Sequence, residues 1–252
     1  MHGNNKFVCI AGKNQCAIDF LKYASSKIGK KRILVLPNKN DNGKSGWQPS
    51  LKEYALKNKF IITNLKKIYN TKNLIFISIE YENILNINKF SSKELYNFHF
   101  SLLPKFRGCH TNFYQIYFGE KETGVTLHKI DNGIDTGEII SKIKYKIKLN
   151  DTAFQNYQKL MKCSFLLFKK NFKNILNKNY TARKQNQNKS SYFSRKSINY
   201  KKMKYFRIKK MNLNLFNQIR AFIFPPFQLP IVNSRVVKNI KYKNKRFIFS
   251  YD

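Results

Sequence analysis

The chain has 252 residues, 42% of them hydrophobic, which suffices for one large domain or for one domain with a small appendage. A wholly disordered protein is excluded. There are 49 basic and 13 acidic residues, and a net charge of +36 indicates a polyanionic partner: nucleic acid, an anionic membrane or a small phosphorylated substrate. Lysine is abundant along the whole chain, so the total charge alone does not select among these partners.

The cysteines and the apolar runs indicate the compartment. The four cysteines lack the spacing of a metal site or a redox motif, which favours a reducing environment. No apolar run approaches the roughly 20 residues of a membrane span, and the N-terminal sequence lacks the layout of a signal peptide. We therefore expect a soluble cytoplasmic protein that does not contact a membrane.

The first half of the chain alternates between short apolar runs and amphipathic segments. A nearly continuous apolar run such as LIFISIEY is typical of a parallel strand that is covered on both faces. Strands that alternate with helices predict an α/β fold, here a Rossmann-like, doubly wound and mostly parallel sheet. The predicted strands are 6–12, 32–37, 61–65, 74–81, 96–103, 124–130 and 138–147, and the predicted helices are 14–28, one from about 49, and 111–118.

A long helix follows, predicted to begin after an N-cap at Asn150 or Asp151 and to reach about residue 176. A polar stretch, 177–191, is interpreted as a linker. We therefore predict a catalytic domain over 1–180 and a small basic unit over 181–252, with short strands whose tight turns use Asn233 or Asn244, because glycine is absent there. One apolar face is predicted for the long helix, formed by Phe154, Tyr157, Met161, Phe165, Phe168, Phe172 and Leu176.

Polar side chains share one face of the strand YNFHFSLLP. Because side chains alternate along a strand, Asn97, His99 and Ser101 lie on one face and phenylalanines on the other. The strand leads into a turn at the carboxyl edge of the sheet, where open α/β sheets bind ligands. A single histidine on a strand is more often structural than catalytic, so this pattern is weak by itself.

A second polar segment, IDNGIDTGEII, contains Asp131 and Asp135 between two predicted strands. Taken alone, it is equally well a loop stabilised by Asx turns. Together, however, NxHxSLLPxxRG and GVTLHxIDxGIDTG resemble the formyltransferase family that uses 10-formyltetrahydrofolate, and the match is dense from about residue 76 to residue 140. The resemblance implies a catalytic set of Asn97, His99 and Asp135.

The implied chemistry suits these residue types. Formyl transfer from a folate nitrogen to an amine passes through a tetrahedral oxyanion, which an amide donor and a histidine N–H can stabilise. A histidine oriented by a carboxylate can move the proton from the amine. The resemblance implies 10-formyltetrahydrofolate as the co-substrate, and no metal is required.

The remaining sequence selects among members of the family. After Arg107 the chain reads RGCHTNFYQIYFGE, which departs from the pattern of methionyl-tRNA formyltransferases, and the short glycine-free rear does not suit a tRNA-binding barrel. The segments IAGKNQCA, PNKNDNGKSGWQPSLKEYA and NQIRAFIFPPFQLP resemble nucleotide-sugar N-formyltransferases.

This resemblance implies a homodimer that formylates a dTDP-3- or 4-amino-dideoxyhexose for O-antigen, lipopolysaccharide or another surface polysaccharide, with nucleic acid not expected as a partner. The alternatives are a methionyl-tRNA formyltransferase, a formyl-folate hydrolase, or a non-catalytic basic nucleic-acid-binding protein.

Binding residues are expected at the strand ends. We expect the folate to face Ile79, Glu80, Tyr81, Leu102, Leu103, Pro104, Ile130, Asp131 and Ile134. We expect the sugar nucleotide to contact Lys13, Asn14, Trp47, Gln48 and Tyr81. The alternative is that Lys13 is only surface charge and that Trp47 only anchors its loop.

Overall fold

The computed structural model describes residues 6–252, which divide into two compact units. The first contains the described residues through His99, with Val125–Ile143 and Lys162–Asn186. The second contains Phe100–Gly124, Lys144–Met161 and Gln187–Asp252. Each unit is therefore assembled from separated stretches of chain, whereas the single boundary near residue 180 stays a prediction.

A seven-stranded sheet forms the centre of the fold. Its order is β3-β2-β1-β4-β5-β7-β8, with β3 to β5 parallel and β7 antiparallel to β5. The predicted α/β architecture with a mostly parallel sheet is thus confirmed. The first eight strands are β1 (Phe7–Gly12), β2 (Ile33–Pro37), β3 (Ile61–Ile62), β4 (Leu74–Ile79), β5 (Glu94–His99), β6 (Arg107–Gly108, outside this sheet), β7 (Glu122–Lys129) and β8 (Ile139–Lys146).

Seven α-helices lie among residues 6–252, and none of these is long and apolar enough to cross a membrane. The helices are α1 (Asn14–Ile28), α2 (Leu51–Lys57), α3 (Leu65–Tyr69), α4 (Thr111–Tyr117), α5 (Ala153–Asn177), α6 (Tyr200–Met203) and α7 (Leu213–Ala221), with 3-10 turns at Lys30–Arg32, Ile87–Lys89, Gln187–Lys189 and Arg195–Ser197.

Three predicted strands end at least two residues early in the structure, and the one predicted over 74–81 ends at Ile79. The strand predicted over 61–65 ends at Ile62, because the Asn64 side chain accepts a hydrogen bond from the Lys67 backbone N–H and starts α3. The strand predicted over 96–103 ends at His99. In the turn that follows, the Ser101 hydroxyl donates to the Lys105 carbonyl at 2.7 Å.

Strands β1 and β4 form the buried centre of the first unit. All residues of β4 are buried, as are the last five of β1, as expected for parallel strands covered on both faces. At the carboxyl ends Gly12 lies so close to Ile79 that a Cβ on Gly12 would lie 2.0 Å from the Ile79 carbonyl oxygen. Only glycine therefore fits where β1 turns into α1.

The long helix α5 was predicted correctly in extent but not in its N-cap. The cap is Thr152, whose hydroxyl accepts from the Gln155 N–H at 3.3 Å while the Gln155 side chain accepts from the Thr152 N–H at 2.9 Å. This reciprocal pair is a capping box, so Asn150 and Asp151 lie outside the cap.

The buried face of α5 also differs from the prediction. Tyr157, Phe168 and Phe172 are buried as expected, but Phe154, Met161, Phe165 and Leu176 are only half-buried. The centre of the buried stripe is shifted because small and polar residues take part in it. Its other members are Ala153, Asn156, Leu160, Ser164, Leu167, Asn171 and Ile175.

The second unit carries a small sheet of order β10-β11-β12-β13. Its hairpins turn through Asn233–Ser234 and Asn244–Lys245, and all four residues have positive φ between 46° and 67°. The predicted asparagine turns are confirmed, since asparagine tolerates this conformation better than most residues. The strands are β9 (Tyr192–Phe193, paired with β6), β10 (Tyr205–Phe206), β11 (Ile231–Val232), β12 (Arg235–Lys243) and β13 (Arg246–Tyr251).

The capping box of α5 gives a stability prediction. Thr152→Ala removes the hydroxyl acceptor at the helix start and should lower the free energy of unfolding by about 1 kcal/mol. Urea denaturation measures this change. Thr181→Ala, at an exposed position in irregular structure, is the matched control and should change it by less than about 0.5 kcal/mol. Equal effects of the two changes would contradict the assignment of Thr152 as the cap.

Candidate active site

Strand β5 directs Asn97 and His99 to one face of the sheet and Phe98 to the other. Phe98 is buried, with its ring centroid 4.9 Å from that of Phe20 on α1 and 5.7 Å from that of Phe168 on α5. Because successive side chains alternate, this aromatic contact fixes the face on which Asn97 and His99 lie. His99 is itself buried, with 7% of its surface exposed.

Strand β7 places a second histidine, His128, directly opposite Asn97. The His128 Nδ1 lies 2.7 Å from its neighbour's carbonyl oxygen, at Lys129, and a carbonyl oxygen can only accept, so Nδ1 carries the hydrogen. In that tautomer Nε2 accepts from the Asn97 amide nitrogen at 3.2 Å. His128 was not among the residues predicted from the sequence, although it lies in the same motif as Asp135, GVTLHxIDxGIDTG.

The carboxylate of Asp135 lies among these three side chains. Its Oδ1 is 3.2 Å from Asn97 Nδ2 and 3.5 Å from His128 Nε2, and its Oδ2 is 3.4 Å from His99 Nδ1. The side chain is 12% exposed. The structure therefore brings the predicted set of Asn97, His99 and Asp135 into one cluster, although Asp135 lies 36 residues after His99 in the sequence.

This arrangement determines what each ring nitrogen can do. A carboxylate beside His99 Nδ1 favours the tautomer with the hydrogen on that nitrogen, so that Nε2 is the basic nitrogen. Asn97 Nδ2 has two hydrogens and lies 3.2 Å from an acceptor on each of Asp135 and His128. Asn97 can stabilise an oxyanion only if a substrate replaces one of these contacts.

Hydrogen bonds and one close backbone approach constrain the conformation of the loop that carries Asp135. Asp131 Oδ1 accepts from the Gly133 N–H at 3.2 Å and from the Thr136 hydroxyl at 2.6 Å. Asp135 has a left-handed φ of 55°, and a Cβ on Gly137 would lie 1.8 Å from the Lys129 carbonyl oxygen. The glycine is therefore required for the close return of the loop towards β7.

Gln185 contacts this loop from the stretch that the sequence analysis interpreted as a linker. Its side-chain nitrogen donates to the carbonyl oxygens of Asp135 and Gly137, at 2.8 Å each. The residue is buried. No local pattern in the sequence marks Gln185, because its contacts are with residues 48 and 50 positions earlier.

Two of the segments expected to face folate meet at one apolar cluster. Tyr81, after β4, and Ile130, after β7, both pack against the buried cluster that includes Phe76 and Leu95. Ile130 also donates its backbone N–H to the Leu95 carbonyl at 2.8 Å. Because β7 is antiparallel, its end lies beside the middle of β5 rather than at the carboxyl edge of the parallel strands.

The other residues expected near folate have varied surroundings. Ile79 is fully buried, Glu80 has a left-handed φ of 54°, and Ile134 is exposed. Burial raises the pKa of the Tyr81 hydroxyl, which accepts a hydrogen bond from Asn83. Leu102, Leu103 and Pro104 belong to the second unit, where Leu103 is fully buried and the bond to Pro104 is cis.

The residues expected near the sugar nucleotide surround the end of β1 and already have partners there. The Lys13 ammonium lies 2.7 Å from Glu82 Oε1, and Asn14 Nδ2 lies 3.4 Å from Glu80 Oε2. Gln48 Oε1 accepts from the Gln15 N–H at 3.3 Å. Glu82 was not predicted, and Glu80 was expected to face the folate instead. Both glutamates place negative charge beside the predicted diphosphate donors.

Trp47 is 43% exposed, so its ring has both a covered and an accessible part. Buried Asn38 organises the nearby turn: its amide nitrogen donates to the Glu80 carbonyl at 3.0 Å, and its side-chain oxygen accepts from the Glu82 N–H at 3.1 Å. Among residues 6–252 no group of three or more His, Cys, Asp or Glu side chains is arranged to hold a metal ion.

Comparisons with known proteins concern the whole fold and the sequence motifs. The formyl transferase family profile matches residues 80–168. The crystal structure of WlaRD, a sugar 3N-formyl transferase in the presence of dTDP and 5-N-formyl-THF, has a TM-score of 0.91 and 44% identity, covering 96% of this chain and 88% of that one. The N-formyltransferase from Helicobacter canadensis, in complex with folinic acid and dTDP-3-aminofucose, has a TM-score of 0.90 and 40% identity, covering 98% of this chain and 96% of that one.

Curated relatives are similar over a smaller share of their own length. The bifunctional polymyxin resistance protein ArnA of Wigglesworthia glossinidia brevipalpis is 32% identical over 79% of this chain and 32% of that protein. Methionyl-tRNA formyltransferase of Clostridium perfringens is 29% identical over 73% of this chain and 64% of that enzyme. The chain thus spans from about a third to under two thirds of the length of these relatives. From the Asn97, His99 and Asp135 cluster and the near full-length similarity to two solved formyltransferases, it follows that the chain belongs to the formyltransferase family.

Proposed function

We propose that the chain is a sugar N-formyltransferase, which moves a formyl group from 10-formyltetrahydrofolate to the amine of a dTDP-3- or 4-amino-dideoxyhexose. The observation that carries the proposal is the convergence of Asn97 and His99 on the Asp135 carboxylate. Support for the substrates comes from the two similar solved structures, whose ligands are dTDP or dTDP-3-aminofucose together with a formylated folate.

The reaction needs one nucleophilic attack and two proton movements. The neutral sugar amine attacks the formyl carbon, and the carbonyl oxygen becomes an oxyanion on a tetrahedral carbon. When this intermediate collapses, the bond between the carbon and the folate nitrogen breaks and the new bond to the sugar nitrogen remains. The sugar nitrogen loses a proton, and the folate nitrogen gains one. The products are a formamido sugar and tetrahydrofolate.

The three side chains have separate roles in this scheme. His99 Nε2 takes the proton from the amine, while Asp135 holds Nδ1 and stabilises the positive charge that forms on the ring. Asn97 donates to the developing oxyanion after the substrate replaces one of its two present contacts. His128 keeps the Asn97 amide oriented until the substrate arrives.

The proposal extends to the setting of the enzyme. The product contributes to a surface polysaccharide such as the O-antigen of lipopolysaccharide, and the enzyme acts as a cytoplasmic homodimer. Support for a reducing compartment comes from the cysteines, since none of Cys9, Cys16, Cys109 and Cys163 takes part in a disulfide bond. Strand β13 lies at the edge of the small sheet and is partly exposed, and an edge strand of this kind is a place where a second copy can pair.

The acceptor is tested with a panel of substrates. The purified protein and 10-formyltetrahydrofolate are incubated with dTDP-3-amino sugars, dTDP-4-amino sugars, methionyl-tRNA or no acceptor, and products are identified by mass spectrometry. We expect formylation of a dTDP-amino sugar only. Formylated methionyl-tRNA, formate released without an acceptor, or no folate-dependent turnover would each replace the proposal by one of the alternative functions.

The catalytic roles are tested by single substitutions. Asn97→Ala, His99→Asn and Asp135→Asn should each lower kcat by roughly 100-fold or more, because each removes an oxyanion donor, a base or its orienting group. Equilibrium binding of the dTDP-sugar is the control and should stay within about twofold of the original protein. A His99 variant with nearly normal kcat would contradict the mechanism.

The role of Lys13 is tested against its partner Glu82. Lys13→Ala should raise the KM for the dTDP-sugar by about tenfold and leave the KM for folate unchanged, because a charged hydrogen bond to the diphosphate is lost. Asn14→Ala should act in the same direction. Lys27→Ala is the matched control, since it removes the same charge from the other end of α1.

Glu82→Gln extends this test. It removes the negative charge that Lys13 now faces at 2.7 Å, so the KM for the dTDP-sugar should fall or stay the same. If Lys13→Ala raises the KM of both substrates equally, the residue does not contact the sugar nucleotide specifically.

A further inference from the structure

The side chain of Gln185 is an amide donor directed at the backbone of the loop that carries Asp135. A glutamine amide nitrogen has two hydrogens, and in Gln185 this nitrogen is 2.8 Å from the carbonyl oxygen of Asp135 and 2.8 Å from that of Gly137. The residue is 8% exposed, whereas its neighbours Lys184 and Asn186 are exposed. Gln185 therefore bridges two carbonyls on either side of Thr136.

A backbone contact holds the same segment to the far end of the loop. The Ile139 N–H donates to the Arg183 carbonyl at 2.8 Å, and the Arg183 N–H donates to the Ile139 carbonyl at 2.9 Å. We call residues 183–185 the loop clasp. The loop clasp contacts the backbone at residues 135, 137 and 139. These contacts extend from the residue that carries the carboxylate, Asp135, to the first residue of β8.

The loop needs such support because Asp135 is held in an unfavourable conformation. Its φ of 55° lies in the left-handed region, which residues other than glycine adopt only at a cost in free energy. The Asp135 carboxylate also reaches Asn97 Nδ2 only at 3.2 Å and His99 Nδ1 only at 3.4 Å. Small rotations of this backbone would therefore break the contact with His99.

The chemistry of the contact requires a donor at position 185. Both partners are carbonyl oxygens, which only accept. A glutamate of nearly the same shape would face them with a second set of acceptors, and methionine would fill the space without donating. Asparagine is one methylene shorter, so its amide would not reach both oxygens.

We propose that Gln185 is a positioning residue for formyl transfer: by fixing the carbonyls of Asp135 and Gly137 it sets the direction in which the Asp135 carboxylate faces His99. This inference rests on the proposed function for its kinetic consequence, but the effect on the loop is independent of the substrate. Gln185 acts through Asp135 and is assigned no contact with a substrate.

The test compares Gln185→Met and Gln185→Glu with the control Lys184→Met, at an exposed neighbouring position. For both Gln185 variants we expect kcat to fall by roughly 10- to 100-fold, the range for a misplaced catalytic group, while the KM of each substrate changes by less than about twofold. The fall in kcat should be larger for Gln185→Glu than for Gln185→Met, because the glutamate carboxylate repels the two carbonyl oxygens that Gln185 now binds. The control should retain its kcat.

Hydrogen exchange measured by mass spectrometry provides a readout that does not depend on turnover. In Gln185→Met the peptide spanning residues 131–139 should exchange faster, while peptides from β1 and β4 keep their rates. Faster exchange throughout the protein would mean that Gln185 only stabilises the fold, and unchanged exchange at 131–139 would overturn the clasp. Either result contradicts the inference.

The two proposals fail in different ways. If the original protein formylates no dTDP-amino sugar, the proposed function is wrong, and the exchange of residues 131–139 alone decides whether Gln185 positions the loop. If the original protein is active but Gln185→Met keeps its kcat, the function stands and the positioning role is wrong.

Discussion

A nearly buried carboxylate, that of Asp135, faces three side chains from two adjacent strands. Removing a charge from water is costly unless hydrogen bonds replace the lost hydration. Asn97 supplies one amide hydrogen bond to it, and the Nδ1 of His99, on the same strand, lies 3.4 Å from its second oxygen. The need to satisfy this one group explains why β5, β7 and the loop after β7 must meet closely.

The scaffold supports that meeting by packing the opposite face of β5 against aromatic rings of α1 and α5. Phe98 packs in an aromatic group with Phe20 and Phe168, whose rings stack at 4.0 Å, and a buried, well-packed aromatic side chain has few alternative rotamers. A strand that is fixed on one face presents its other face in one orientation. The aromatic core and the polar cluster are therefore two consequences of the same strand alternation.

The sequence predicts the parts of the site that depend on local pattern. Alternation places Asn97 and His99 on one face, and the motif resemblance adds Asp135; the structure brings all three together. Side-chain contacts between distant segments carry no such local signal. Gln185 binds Asp135, 50 residues earlier in the chain, and Glu82 binds Lys13, 69 residues earlier. For this reason neither Gln185 nor Glu82 was predicted as part of the site.

The error at the start of α5 has a related cause. Asn150, Asp151 and Thr152 are all good N-cap residues, and residue type alone does not choose among three in succession. The choice depends on Gln155, which lies three positions after Thr152 and completes the capping box. The sequence contains this capping-box pattern, but it is recognised only when Thr152 and Gln155 are considered together.

Ion pairs with nearby carboxylates partly neutralise the positive charge at particular places on the protein. Near the sheet ends the few carboxylates are used as partners: Glu82 faces Lys13, Glu138 faces Lys129, and Glu94 faces two lysines. The bond between Lys129 and Glu138 raises the pKa of the lysine and lowers that of the glutamate, as expected for a direct pair.

The rear of the chain has a different charge balance. Residues 152–252 contain 24 basic residues and one acidic residue, Asp252, which pairs with Lys238. Exposed lysines of this kind are screened over about 8 Å at physiological salt and act weakly on a ligand beyond that distance. A diphosphate held near the end of β1 would respond to the balance between Lys13 and Glu82 at that place, and only slightly to the net charge of +36.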